Sequence, residues 1–396
     1  MYSSHASIHK ASSKRWHATT TVVLLFAILL AICTLPSKGS TASGQVKLTA
    51  SARSVSRATC ISDAQTYLKP YASPATTLGS GFTSLPRKPT RGKTVVFVYQ
   101  GNISAILGEY QGLKAATAAA GWVFKGISYD GTPAGLTAGI EQAITEKPYA
   151  IYFSGTDPSA IPNAIHDAKA AGIVVEDTSV LTAPQSYPGY AVTTIGAGAN
   201  RLAGTIIANW VMADSKCTAN VAIFAVTNLP ILNPQTDAFL STIKAKCAAC
   251  KTSYTLLPIS ELETPALTSS IVAKLQSSPA TKYVLAASGF ISDGLPAALS
   301  QAGIKGLKIV GNVPSDQSIA DLRSGGTTMW VSESSVLAGW IGLNALLRAS
   351  ETGKMVNSES VPRYTILTQK NVGKMTTVPI YPVNYSAEFK KLWKVG

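Results

Sequence analysis

From Lys93 almost to the C-terminus, short β-rich runs alternate with helical segments, and no other feature of the sequence restricts the fold as tightly. Val95-Val96-Phe97-Val98-Tyr99 is continuously apolar, as a strand covered on both faces must be. A helix is expected from about Ala105 to Ala120, stopped by Gly121. Strand Trp122 to Ser128, helix Pro133 to Glu146 and strand Tyr149 to Phe153 follow. Asp157-Pro158 offers a cap and a first-turn proline for a helix ending at Gly172, and Ile173 to Val175 and Tyr190 to Ile195 complete a first set. The rhythm restarts with strand Asn220 to Val226 and a helix from about Pro234 to Cys247. Further strands are expected at Thr252 to Leu257, Lys282 to Ala286, Lys308 to Val310 and Thr327 to Val331. Right-handed crossovers return each strand in the same direction, so the pattern demands mainly parallel sheets. The expected class is α/β, with two Rossmann-like lobes whose sheets carry helices on both faces. At 396 residues the chain is also longer than one core usually serves.

The segment before this body reads as an export leader over 1–42. Lys10, Lys14 and Arg15 precede an apolar stretch from Val22 to Ile32, and small polar residues follow. Leu30-Ala31-Ile32-Cys33 is similar to a lipobox, which would place an acyl group on Cys33. Cleavage after Ala42 is the competing reading, and an uncleaved anchor is the third. Residues 43–92 are rich in Ser, Thr, Ala and Pro, with a short helix near Ile61 to Leu68, and read as a tether or a lobe-hugging extension rather than a domain. Export implies an oxidising compartment, in which Cys217, Cys247 and Cys250 are the expected disulfide candidates, their pairing open. Cys247-Ala-Ala-Cys250 ends a helix, whereas redox pairs gain their low pKa at a helix start. Nor is there a second CxxC or a histidine pair to complete a zinc site.

The net charge is +14, of which the leader's four basic residues and absence of acids account for four. The remaining lysines are scattered singly, without the basic runs interleaved with aromatics that nucleic acid would call for, so no nucleic-acid partner is expected. Catalysis lacks its groups. Of the four histidines, His5, His9 and His17 lie in the leader and only His166 in the body, and no GxSxG or HExxH motif accompanies it. Gly92-Lys93-Thr94 precedes a strand instead of opening a helix, so it cannot cradle phosphate. Gly196-Ala197-Gly198 lacks the third glycine of a dinucleotide fingerprint and reads as a bend between lobes. Glu109, Asp157, Asp177 and Glu333 have no spacing that pairs them as acid and base. No enzyme activity, metal or cofactor is expected.

Several stretches between about 93 and 372 resemble the type I periplasmic-binding-protein family, the branch of ribose- and galactose-type receptors. They are Tyr149 to Pro158 with Ile173-Val174-Val175, Ile195 to Gly204, Leu295 to Lys305 with Lys308 to Gly311, and Thr368-Gln369-Lys370-Asn371-Val372. The resemblance implies a ligand enclosed between two lobes joined by three crossings. Lobe one would comprise 93–196 and 332–356, and lobe two 197–331 and 357–396. It further implies an exported, monomeric receptor that captures a small solute for an ABC permease in the membrane, or, as the alternative, a sensing subunit of a membrane signalling system. The absence of a helix-turn-helix before residue 93 argues against a repressor of the same fold. Ligand loops should lie at the carboxyl ends of the strands, which selects Tyr99, Gln100, Asn102, Ser154, Thr156, Asn233, Ser288, Phe290, Asn312 and Glu333. Where sugar receptors of the family carry an Asn-Asp pair, this chain has Ser288-Gly289, and the second-lobe arginine is replaced around Asn233 to Thr236. Those losses make a less polar or a cationic solute as plausible as a sugar.

Overall fold

Alternate residues of each apolar run face opposite sides of a sheet, so a run such as Val95 to Val98 needs helices above and below. A computed structural model describes residues 56–101, 103–178, 192–227, 229–262, 264–354, 357–358 and 360–396, with backbone alone at 192–193 and 357–358. The expected leader with Cys33, and Asn102, lie outside the described residues. The first strands are β1 (Thr94–Gln100), β2 (Val123–Tyr129), β3 (Ala150–Ser154), β4 (Val174–Thr178) and β5 (Val192–Thr194). The second series is β6 (Asn220–Val226), β7 (Lys251–Leu257), β8 (Tyr283–Ala286), β9 (Lys308–Asn312) and β10 (Met329–Ser332). Near the end come β11 (Asn357–Ser358) and β12 (Thr365–Thr368). Two six-stranded sheets result, in the orders β11-β5-β4-β3-β1-β2 and β12-β10-β9-β8-β6-β7. All pairings are parallel except β12 against β10. The expected α/β class with two like lobes is the observed one.

In chain order the helices are α1 (Arg57–Leu68), α2 (Ser104–Ala120), α3 (Pro133–Thr145), α4 (Pro162–Ala170), α5 (Ala197–Asp214) and α6 (Asn233–Lys246). They continue with α7 (Pro265–Gln276), α8 (Leu295–Gln301), α9 (Asp316–Ser324), α10 (Ser335–Thr352), α11 (Gln369–Val372) and α12 (Tyr385–Trp393). In lobe one, Val95, Phe97 and Tyr152 pack under α2, α10 and α12, while Val96, Val98, Ile151 and Phe153 pack under α3 and α4. In lobe two, Val221, Ile223 and Leu285 face α5 and α6, and Phe224, Ala286 and Trp330 face α7, α8 and α9. The helix expected from Asp157 is divided. Asp157 caps a single turn at Pro158–Ala160, and α4 begins afresh at Pro162, whose missing N–H suits a first turn. Among the described residues no helix is long and apolar enough to cross a membrane.

Three expectations about the ends need correction. Residues 357–396 do not all belong to lobe two, because β11 pairs with β5 of the first sheet. Phe389 and Trp393 of α12 are fully buried in the first lobe, where Trp393 stacks on Trp340. The chain therefore crosses a fourth time, near 379–384. Cys60, absent from the expected disulfide candidates, is paired with Cys217, leaving Cys247 to pair with Cys250. The reason is that α1 docks Cys60 and Ala64 against α5 of lobe two. After Tyr71 the extension changes lobes: Leu78, Phe82 and Leu85 enter the first core, and the Leu85 amide donates to the Leu392 carbonyl (2.8 Å). Arg363, on a crossing segment, donates to the carbonyls of Ser73 (3.3 Å) and Pro74 (3.1 Å) on the way.

Helices α2 and α10 cross without side chains between them. A Cβ at Gly112 would collide with the Val336 carbonyl oxygen, and one at Gly339 with the backbone of Leu113 and Glu109. Overpacking of this kind costs about 1–3 kcal/mol when the neighbours can yield, and here the neighbours are backbone. Gly112→Ala and Gly339→Ala should each lower unfolding free energy by about 2 kcal/mol or more, read from urea denaturation. An unchanged midpoint would refute the close crossing.

Candidate functional site

The carboxyl ends of the strands in both lobes open onto a shared cavity. The first lobe contributes Gln100 and Tyr129 as the last residues of β1 and β2, Ser154 as the last of β3, and Thr156 in the loop beyond it. Ile103, Ile106 and Glu109 come from the start of α2. From the second lobe come Leu229, Ile231 and Leu232 after β6, Ile259 after β7, Ser288 and Phe290 after β8, and Val313 after β9. Glu333, Ser335 and Ala338 enter where the chain returns to lobe one, and Asn200 where it first leaves it. Val313 holds φ at +47°, a costly backbone state for a β-branched residue. The neighbouring Gly289 is required sterically: a Cβ there would meet the backbone of Val313, Pro314 and Ser315. No aspartate could follow Ser288 in this packing.

Two carboxyl groups stand in this cavity. Glu109 is 3% exposed and accepts a hydrogen bond from the Tyr152 hydroxyl. Burial pushes its pKa up to about 7, against hydrogen bonds from Tyr152 and Ser154 that lower it, and Glu333 nearby adds to the rise. Glu333 accepts from Asn312 Nδ2 (2.9 Å) and from the Tyr364 hydroxyl (3.2 Å), and its carboxyl too is raised by burial. Behind them lies Glu176, fully buried and raised well above the usual carboxylate range, with the Thr194 hydroxyl donating to it at 3.2 Å. Among the described residues neither Glu109 nor Glu333 forms an ion pair, and no Lys, Arg or His lines the cavity. His166 is exposed on α4 beside Asp167, away from the cavity.

The topology and a cleft lined from both lobes invite comparison with known proteins. Residues 95–355, about two-thirds of the chain, match the family model described as a periplasmic binding protein domain. The chain belongs to that family. It is a family of solute-binding proteins and not of enzymes. No curated protein matches the chain. Among solved structures, a carbohydrate transporter from Acidothermus cellulolyticus in complex with myo-inositol is 20% identical with a TM-score of 0.59, covering 71% of this chain and 96% of that one. An ABC transporter solute-binding protein from Agrobacterium vitis with bound allitol is 19% identical, with a TM-score of 0.62 and coverage of 72% and 98%. A sugar ABC transporter from Yersinia enterocolitica is 15% identical, with a TM-score of 0.65 and coverage of 78% and 97%. At such identities the likeness is one of fold.

Six residues selected from the sequence of this periplasmic binding protein line the cavity: Gln100, Ser154, Thr156, Ser288, Phe290 and Glu333. Three others do not. Tyr99 shares its strand face with Phe97 and packs against Phe97 and Tyr110, with ring centroids 5.7 and 4.6 Å apart. Asn233 is exposed at the start of α6, its carbonyl accepting from the Thr236 hydroxyl (3.0 Å), and Leu232 takes the cavity position. Asn312 is fully buried and supports Glu333 from behind. Glu109 was missed as a site residue, though a signal existed. It falls in step with Ile106, Leu113, Ala116 and Ala120 on the buried stripe of α2, where an acid has no structural reason to sit.

Glu109 makes stability depend on pH with a defined sign. Its folded pKa of about 7 exceeds its ordinary value, so the folded state holds the extra proton at low pH. Stability from this group is complete below the ordinary carboxylate range and is lost as pH rises through about 7. Glu109→Gln removes that loss. The variant should unfold at a higher temperature than the parent at about pH 8, by at most about 3 kcal/mol, and the difference should shrink to near zero by about pH 5. A melting-temperature difference that does not change with pH would show that no buried charge forms there.

Proposed function

We propose that this protein is an exported receptor that captures a small solute between its lobes and delivers it to an ABC permease. The carrying observation is a cavity lined from both lobes at the carboxyl ends of their strands. Contacts that exist only when both lobes touch one ligand favour the closed form, and closure is a population shift of that kind. First-lobe groups would anchor the solute: Gln100, Ser154 and Thr156 by hydrogen bonds and Tyr129 by its ring. Phe290, Ser288 and the apolar loops of lobe two would cover it. Glu333, at a crossing, touches the cavity while being held by Asn312 and Tyr364 of the second lobe. It is therefore placed to link ligand contact to the angle between lobes.

Export is supported by the basic-then-apolar N-terminus and by the cysteines. Cys60–Cys217 and Cys247–Cys250 leave no free thiol among the described residues, which suits an oxidising compartment. Lipid attachment at Cys33 and release after Ala42 differ in the mature N-terminus, which mass spectrometry of the processed chain distinguishes.

A thermal-shift panel of sugars, polyols, amino acids, nucleosides and small amines tests the receptor reading. A binder at about a hundred times its dissociation constant adds about 2.7 kcal/mol to the folded state, a shift of a few degrees. The expected result is a saturable shift with one chemical class and full recovery of the unmodified compound. Phe290→Ala should weaken that compound's affinity by about tenfold while leaving the unliganded melting temperature close to the parent's. Turnover of the compound, or no shift with any class, would contradict a receptor for small solutes.

A further inference from the structure

The receptor reading leaves the solute's chemistry open, and the cavity's own charge balance addresses it. Resting on that reading, we propose that the solute is an organic cation, an amine carried on a small apolar or aromatic body.

Two features of the cavity carry this together. The first is charge. Glu109 and Glu333 both reach the cavity, and among the described residues no basic side chain lines it. Each carboxyl is oriented by neutral donors, Tyr152 for Glu109, and Asn312 and Tyr364 for Glu333. Neutral donors fix a carboxylate in place but do not cancel its charge, and a buried charge without a counter-ion is strongly unfavourable. An ammonium group between the two carboxyls supplies the missing charge from the ligand. Burial raises both acids, and a cation beside them would reverse that shift.

The second feature is the lining. Ile103, Ile106, Leu229, Ile231, Ile259 and Val313 line the cavity alongside its polar groups. Gln100, Ser154 and Thr156 can pair the hydroxyls on one side of a polyol, but hydroxyls turned towards the aliphatic side chains would be buried unpaired, which is penalised. An apolar body pairs with such walls by losing its own contact with water. Tyr129 from lobe one and Phe290 from lobe two add aromatic faces, which attract a cation through the ring quadrupole as well as by contact.

The test is isothermal titration of the purified full chain at about pH 8, where Glu109 is ionised, with matched pairs of equal shape. Phenethylamine is compared with phenethyl alcohol, cyclohexylamine with cyclohexanol, and myo-inositol serves as the polyol. The expected result is that at least one amine binds about tenfold or more tightly than its alcohol. Glu109→Gln and Glu333→Gln should each bring that ratio towards one, with thermal unfolding confirming that both variants fold. An alcohol or myo-inositol binding as tightly as the amines would overturn the cation assignment and leave the receptor reading standing. The assignment also fails if the ratio persists in both variants. No binding by these compounds, together with a silent thermal-shift panel, would overturn both.

Discussion

A β-carbon at Gly112 would fall on the Val336 carbonyl oxygen, and one at Gly339 on the backbone of Glu109 and Leu113, so α2 and α10 meet backbone to backbone. These helices come from opposite ends of the sequence: α2 follows the first strand, and α10 follows the last parallel strand of the other lobe. Their contact fixes the returning chain against lobe one. One turn before Gly112 stands Glu109, and six residues before Gly339 stands Glu333, so the same crossing brings two acids to one cavity wall. Lobe two has its counterpart, since a Cβ at Gly204 of α5 would collide with the Gln235 carbonyl of α6. There, Gln235 Nε2 donates to the Ala287 carbonyl (3.0 Å) and holds the loop that leads to Ser288.

The two lobes bring unlike chemistry to the same cleft. Lobe one presents polar groups on a polar foundation, with Ile103 and Ile106 beside them. Tyr152 of β3 lies between Glu109 of α2 and Glu176 of β4, and the hydroxyls of Thr178 and Thr194 are 2.6 Å apart beside Glu176. Lobe two presents branched aliphatic side chains and Phe290, above a core in which Phe224, Ala286 and Trp330 carry little polarity. A division of labour follows from the distance over which each force acts. On the proposed reading, directional hydrogen bonds and charge would select and orient a solute on lobe one. Burial of apolar area then draws lobe two over it, with little demand on orientation.

The parallel sheets were legible because continuous apolar runs such as Val95 to Tyr99 and Val221 to Val226 permit few other placements. The cavity was legible in part because parallel topology sends every loop at the strands' carboxyl ends to one place. Its failures were local and had physical causes. Strand parity turned Tyr99 into the core, while the neighbouring Gln100 reached the cleft. Asn233 gave way to Leu232 because the loop tightens into one turn at Pro230–Leu232 before α6 opens. The tail was misassigned because α12 pairs an amphipathic face, Phe389 and Trp393, with Trp340 more than forty residues earlier, a partnership that no local pattern encodes. Cys60 was passed over because its partner depends on where α1 docks, and docking is settled by tertiary contact.

The extension also bears on how the cleft can move. It begins on lobe two, where Cys60 is joined to Cys217, passes Arg363 at Ser73 and Pro74, and ends threaded into lobe one at Leu85. With the crossings near 196, 333, 360 and 380, it makes a fifth tie between the lobes. Flexible ties side by side act like springs in parallel, and their resistances to bending add. A rotation large enough to empty the cleft must load all five at once. The molecule should therefore behave as a stiff clamp with a short throw, in which opening the cleft stores elastic load that is returned when the lobes close again.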